Sequence, residues 1–331
     1  MEISSLPSSQ EVAPLIRGWV QQTPLLPLPR GDGGGESDIH LKLESLQETG
    51  SFKVRGAAAA LLHLSEDAKR RGVVTCSSGN HGRAVAWMAQ RLGIPATIFL
   101  PEWTDPSKVA AIRGLGCTVE VGGDSYDAAE GRARAHGAAH DLSWIDPFDD
   151  PWVIAGQGTV GVEVLEQLPH VGTILVPLSG GGLAGGIARA VKEVRPQVRV
   201  VAVSARNARV MWESVRGGRP ISMPEEPTLA SALAGGIGEA NRWTFPLVQR
   251  WVDAHILVEE AAIAQAMAWA FRELKLVVEG GGAVTLAALR PLLAPPGRLP
   301  GPGPLVAIIS GGNVDSAVLR RSLESDHHHP E

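Results

Sequence analysis

The chain has 331 residues, of which 44% are hydrophobic and 20% charged, enough for about two globular domains with a sizeable core. Its net charge of −5 comes without a basic stripe, which argues against nucleic acid as a partner, and no apolar run reaches membrane-spanning length. Two isolated cysteines, Cys76 and Cys117, support neither a disulfide framework nor a zinc site.

The opening "MEISSLPSSQEVAPL" lacks a basic segment followed by an apolar run, so no signal peptide is expected and a reducing, cytoplasmic setting is. "PRGDGGGESD" (29–38) reads as a flexible hairpin turn. Next come a strand-like "IHLKLES", a turn-like "QETG" and the helix formers of "VRGAAAALLHL". Gly50 and Ser51 suit a break and an N-cap, which puts Lys53 in the first helical turn. Cations prefer the other end of a helix. A lysine there is either a solvated stem or an amine whose pKa is meant to fall.

From residue 72 onward, short β-rich runs alternate with helical patterns: "GVVTCS", "ATIFLP" and "TVEVGG", then "TILVPLS", "VRVVAVSA" and "LVAIISGG". The alternation predicts an α/β fold of two domains, with parallel-rich open sheets flanked by helices. The two sets run over 72–140 and 172–315, joined by "DPFDDPWVIAGQG", with a ligand cleft where strand ends and glycine-rich turns converge. "APPGRLPGPGP" (294–304) reads as an exposed loop, and the histidines at 327–329 lie in a polar tail.

Three glycine-rich turns follow predicted strands: "SSGNHG" (77–82), "SGGGLAGG" (179–186) and "SGGN" (310–313). The middle one lets backbone approach a ligand just before a helix whose free N–H groups favour an anion, best a phosphate. It lacks the Gly-Lys-Ser/Thr ending of a Walker loop. Gly180, Gly182 and Gly185 do satisfy G-x-G-x-x-G, so a nicotinamide-dependent oxidoreductase is a rival. That rival expects a carboxylate at the end of the next strand, where Ser204, Ala205 and Arg206 stand instead. In "SSGNHG", hydroxyls and backbone N–H groups can hold a substrate carboxylate. His81 could serve Ser77 or Ser78 as a base, but no G-x-S-x-G elbow accompanies it. A phosphate cradle, a carboxylate cradle and a lysine at a helix start together suit pyridoxal 5'-phosphate, held by Lys53 as a Schiff base.

These motifs, with "TPLLPLPR" (23–30), "KLESLQETGSFKVRGA" (42–57), "GGGAVTLAAL" and "IISGGNVD", occur in one order along nearly the whole chain. That order resembles the serine/threonine dehydratase and serine racemase family of pyridoxal-phosphate enzymes, with the tryptophan-synthase-β-like architecture (fold type II). The resemblance implies β-elimination of water from a β-hydroxy amino acid, followed by hydrolysis of the enamine to a 2-keto acid and ammonia. It implies a large cofactor domain from 1–70 and 147–331, a small domain from 71–146 closing over the substrate, and a homodimer.

Residue by residue, the resemblance makes Lys53 the Schiff-base lysine and Phe52 the residue packing on the cofactor ring. Asn80 becomes the partner of the ring hydroxyl, and Gly180, Gly181, Gly182 and Leu183 the phosphate loop. Ser310 meets the pyridine nitrogen, where a neutral hydroxyl disfavours long-lived carbanions. Ser77, Ser78, Asn80 and His81 receive the substrate carboxylate, and Ser78 handles a proton on the face opposite Lys53. Three departures from the family stand out. Ser204 and Val210 replace metal-binding acids of racemase-like members, so no metal is expected. In "TLASALAGGIG" (228–238), Ser231 and Ala232 replace Asp-Gly, closer to hydroxyectoine-utilisation dehydratases. The chain stops soon after "SGGNVD", so no C-terminal regulatory domain is expected.

Overall fold

The structure, a computed structural model, describes residues 5–28, 38–77, 79–293 and 302–325. Ser78 and the histidines at 327–329 lie outside the described residues, as does most of the hairpin expected over 29–38 and of the loop expected over 294–304.

Within the described residues the strands are β1 (Leu25–Pro27), β2 (Ile39–Leu43), β3 (Val73–Cys76), β4 (Ala96–Leu100), β5 (Thr118–Val121), β6 (Ser143–Trp144), β7 (Thr173–Pro177), β8 (Arg199–Ala205), β9 (Ala254–Val258) and β10 (Leu305–Ile309). The first helices are α1 (Ser9–Ile16), α2 (Lys53–His63), α3 (Glu66–Arg71), α4 (Asn80–Leu92), α5 (Pro106–Arg113) and α6 (Tyr126–Ala139). After them come α7 (Pro151–Gln167), α8 (Gly182–Lys192), α9 (Val210–Gly217), α10 (Thr244–Trp251), α11 (Glu260–Arg272), α12 (Gly280–Leu293) and α13 (Ser316–Ser325).

The strands sort into two sheets. One has the order β1-β2-β10-β7-β8-β9 and the other β5-β4-β3-β6. Only the β1–β2 pair is antiparallel; all other pairs are parallel. Strand β10 fills the middle of the larger sheet, with Ala307 opposite Leu41 of β2 on one side and Leu175 of β7 on the other.

The apolar runs are continuous because both sheet faces are covered. Alternate side chains go to opposite faces. Leu175, Val201, Val203, Ala307 and Ile309 pack with Ile263, Met267 and Leu286 of α11 and α12. Their neighbours Ile174, Val176, Val200, Ala202 and Ile308 pack with Val160, Ile187 and Val248 of α7, α8 and α10. The smaller sheet divides likewise: Val73 and Ile98 face α2, α4 and α7, while Val74, Cys76 and Phe99 face Ala129 and Ala133 of α6. Helices α7 and α8 meet backbone to backbone. A Cβ on Gly158 would stand 2.7 Å from the Gly186 carbonyl oxygen, so the glycines of "GQGTVG" are there for close approach.

Strand β2 breaks the apolar pattern with Lys42, fully buried. Its ammonium donates to the Thr23 carbonyl (2.8 Å), Glu163 (2.5 Å) and Gln167 (2.8 Å), using all three hydrogens. Arg55 of α2 lies beside it, also fully buried. It forks onto Glu44 through Nε and Nη2 (both 2.7 Å) and onto Glu163 through Nη1 (2.6 Å) and Nη2 (2.9 Å). Burial opposes the Arg55 charge, but the two carboxylates outweigh it and raise the guanidinium's pKa. Two cations and two anions thus lock β2, α2 and α7 together, two residues past Lys53.

The start of α2 differs from expectation. Its N-cap is Phe52, with no side-chain cap bond, and Ser51 instead bridges to Gly311. The Phe52 N–H donates to the Ser310 carbonyl at 3.1 Å. Pairing across to the β10 turn outcompetes local capping, and Gly50, at φ +76°, supplies the break.

Candidate active site

Lys53 is the first residue of α2. Its Nζ donates to the Pro147 carbonyl at 2.7 Å and stands 5.3 Å from the Phe52 ring centroid. Burial pushes the amine down to about 8, against the opposing pull of the Asp146 and Glu279 carboxylates. The neutral fraction at pH 7 is then about one in ten, against about one in three thousand for an ordinary lysine. Lys53 is therefore no solvated stem.

The turn 146–150 that meets Lys53 is built by its own aspartates. Asp146 Oδ1 accepts the N–H groups of Phe148 (3.1 Å) and Asp149 (2.8 Å). Asp149 accepts three amides at the start of α10, from Arg242, Trp243 and Thr244 (2.7 to 2.8 Å). Asp150 caps α7. Phe148 packs on the glycine turn between β7 and α8, where a Cβ on Gly180 would meet its ring.

In that turn Gly181 caps α8 at φ +89°, a left-handed backbone that favours glycine. Helix α8 begins at Gly182, so the amides of its first turn have no acceptor within the helix. Four residues, Gly180 to Leu183, all buried, thus present backbone and no charged side chain, in the manner of a phosphate cradle. Gly185 and Gly186 serve packing instead, against Leu247 and against the Ile154 carbonyl. Ser179 donates to the Leu233 carbonyl at 2.8 Å.

Helix α4 starts at Asn80, and Ser77 Oγ accepts the Gly79 N–H at 3.2 Å. The His81 ring turns inward. Its Nε2 lies 3.1 Å from both Thr75 Oγ1 and the Ile145 carbonyl. The carbonyl only accepts, and Thr75 itself donates to it (2.8 Å), so Nε2 carries the hydrogen. Burial, with Lys53 nearby, pushes His81 down to about 3. The imidazole is therefore neutral near pH 7, and its Nε2 is engaged by Thr75 and the Ile145 carbonyl, not by Ser77. Its other ring nitrogen, Nδ1, is buried and has no hydrogen-bond partner among the described residues.

Ser310 follows β10, is buried, and donates to the Gly281 carbonyl at a long 3.3 Å. Glu279, just before α12, was not visible as a site residue in the sequence. Its Oε1 accepts from Asn80 Nδ2 at 2.7 Å. Burial raises its carboxyl to about 7, opposed by Asn80, Lys108 and Lys53. The one available signal was a lone carboxylate between "KLVV" and "GGGAV". The loop 228–238 lies against this region: Ala232 is the nearest neighbour of a Cβ built on Gly281 (3.2 Å). Thr228 is tied to Glu260 at 2.7 Å and Ser231 is exposed.

Ser204 donates to the Leu178 carbonyl at 2.9 Å, and Val210 begins α9. Among the described residues no three His, Cys, Asp or Glu side chains gather as a metal site, and no helix is long and apolar enough to cross a membrane. Arg206 pairs with Glu259 at the surface.

An amine at depressed pKa, a backbone phosphate cradle, a hydroxyl and an amide from separate elements fit the donor set that pyridoxal phosphate requires. A family model described as "Pyridoxal-phosphate dependent enzyme" matches residues 16–311, and the chain belongs to that family. The L-threonine ammonia-lyase of Thermotoga maritima is 42% identical over 290 residues, covering 88% of this chain and 70% of the relative. Maize serine racemase superposes with a TM-score of 0.85 at 34% identity, covering 97% of this chain and 98% of its own. The processed form of threonine deaminase isoform 2 from Solanum lycopersicum also gives 0.85, at 31% identity, covering 98% and 91%. The architecture is fold type II, the cofactor is pyridoxal phosphate, and the nicotinamide rival is discarded.

Proposed function

We propose that this protein is a lyase that eliminates water from threonine or serine to give an enamine, which takes water back on hydrolysis to a 2-keto acid and ammonia. The observation that carries the proposal is Lys53, a half-buried amine of depressed pKa whose Nζ is bonded to the Pro147 carbonyl, beside the Phe148 ring that packs on the Gly180 turn. The names of its relatives, threonine ammonia-lyase and threonine deaminase, support the substrate class.

Pyridoxal phosphate, when bound, supplies the conjugated ring that accepts electrons as the α proton leaves. Lys53 would hold the cofactor through its Nζ, and the same amine, when free and neutral, would take the α proton. Amides from Gly180 to Leu183 hold the phosphate at the positive end of α8. Ser310 offers an uncharged hydroxyl to the ring nitrogen, Phe52 packs on the ring, and Asn80 donates to the ring oxygen. Ser77 and the first amides of α4, those of Asn80 and His81 among them, receive the substrate carboxylate. The segment 71–146 closes over the substrate while 1–70 and 147–331 hold the cofactor, in a cytoplasmic homodimer.

Side-chain specificity belongs to the loop 228–238, supported by Ala232 and Leu233 lying against Gly281 and Ser179. Its small residues leave room for a group larger than that of serine, so threonine is expected to exceed serine in kcat/KM. A hydroxyectoine-derived amino acid is the second substrate to try, on the same feature. Keto-acid release from all three is to be compared in wild type and Ala232→Gly, because discrimination lives in that ratio. Serine leading in wild type, unchanged in the variant, would take specificity away from this loop.

Ser78 is the proposed acid and base on the second face. Ser78→Ala is expected to abolish action on D-isomers while cofactor binding, read by visible absorbance, persists. An equal fall for both isomers would reject the assignment.

A further inference from the structure

The two ends of an asparagine amide have the same shape, so the neighbours of Asn80 must decide which end points where. Asn313, in the turn after β10, is the informative neighbour. Its Nδ2 lies 2.8 Å from the Thr49 carbonyl, which can only accept. Its Oδ1 lies 3.1 Å from Arg83 Nη1, which can only donate. These anchors fix Asn313. Its Nδ2 also reaches Asn80 Oδ1 at 2.7 Å, so that atom of Asn80 has to be the acceptor. Asn80 Nδ2 then faces Glu279 Oε1 at 2.7 Å, which accepts in turn. An amide nitrogen carries two hydrogens, and the second has no protein acceptor among the described residues.

The backbone makes room for this chain of bonds. A Cβ at Gly50 would fall on the Asn313 amide, and one at Gly311 on the Glu279 carboxylate. Both glycines are therefore needed for the side chains that occupy their place. The relay joins turns that follow a strand of each sheet, β3 and β10.

We propose that Arg83, Asn313 and Glu279 are positioning residues that lock Asn80 with an N–H, never its oxygen, toward the cofactor's ring oxygen. This rests on the reading of Asn80 as a cofactor contact. The polarity runs one way, from the Arg83 guanidinium to the Glu279 carboxylate, and a donor at the ring oxygen stabilises that oxygen as an anion.

Reversing the relay tests it. Each variant is titrated with pyridoxal phosphate for affinity, its visible band is recorded, and its thermal midpoint is measured. Asn80→Ala is expected to weaken cofactor affinity about tenfold or more. Asn313→Asp sets a carboxylate against Asn80 Oδ1 and should lower both affinity and melting temperature. Adding Glu279→Gln to Asn313→Asp supplies a donor at the other end, so the amide can turn over. Melting temperature should then recover in part, since the new carboxylate at 313 still faces the Thr49 carbonyl, while affinity stays low and the band stays shifted, because the oxygen of Asn80 now faces the cofactor. Glu279→Ala alone should lose affinity, and Glu279→Gln, which keeps an acceptor, should recover most of it.

Affinity recovering together with stability in the double variant would reduce the relay to scaffolding and overturn the proposal. So would Glu279→Gln falling as far as Glu279→Ala, or Asn313→Asp binding normally while Asn80→Ala does not. Normal binding by Asn80→Ala would instead sink the underlying reading of Asn80.

Discussion

Apo-protein mixed with pyridoxal phosphate is expected to bind it covalently at a rate that climbs about tenfold per pH unit and levels near pH 8. The sign follows from Lys53. Only the neutral amine attacks a carbonyl, and burial brings the pKa from 10.5 to about 8. The neutral fraction therefore grows with pH up to that value and is nearly complete above it. An unperturbed lysine would keep climbing to beyond about pH 10. Stopped-flow absorbance gives the profile, and borohydride reduction followed by peptide mass spectrometry gives the residue. Lys53→Ala should show no covalent capture and should lose at least about a thousandfold in kcat/KM, since it removes both the attachment point and the base. Adduct on another lysine, or a plateau only above about pH 10, would displace Lys53 from its proposed role.

The largest loss of stability is expected from Arg55→Met. The guanidinium is fully buried and answers the Glu44 and Glu163 carboxylates at once. Removing it leaves a net negative charge in the interior, with Lys42 as the remaining cation of the cluster. Breaking a buried pair in this way costs about 3–5 kcal/mol, or about 4–7 °C in melting temperature for a chain of this size. Arg55→Lys should fall between, because an ammonium keeps the charge but lacks the planar fork. Lys69→Ala, at the solvent-facing pair with Glu66, should leave the melting temperature unchanged. Calorimetry on the three variants decides the matter. A similar small shift in all three would mean the cluster is no stronger than a surface pair.

Much of this fold could be read directly from residues. Strands β3, β4, β7, β8 and β10 are apolar runs flanked by turn residues, glycine, proline, serine or asparagine, and covered parallel strands look that way. Strand β9, half exposed at a sheet edge, has no such signature. The three glycine turns were equally plain, since glycine clusters mark places where backbone must approach something.

Side-chain partners were not legible. Nothing local ties Asn80 to Glu279 and Asn313, which lie 199 and 233 positions further along the chain. Nor does a sequence show that a lysine's partner is the carbonyl of Pro147, since every residue has one. The inward turn of His81 depends on Thr75 and Ile145, which only the folded sheet brings together. The N-cap of α2 failed as a local inference for the same reason: Ser51 is claimed by residue 311.

The position of β10 also bears on how the chain comes to be assembled. A ribosome would deliver the smaller sheet, all of it within residues 73–144, long before the strand that completes the larger one. Until residue 309 has been made, β2 and β7 have no shared partner and expose apolar edges that would pair with any strand at hand. Such long-range closure is slow, and nascent chains in that condition are the species that aggregate and that chaperones hold.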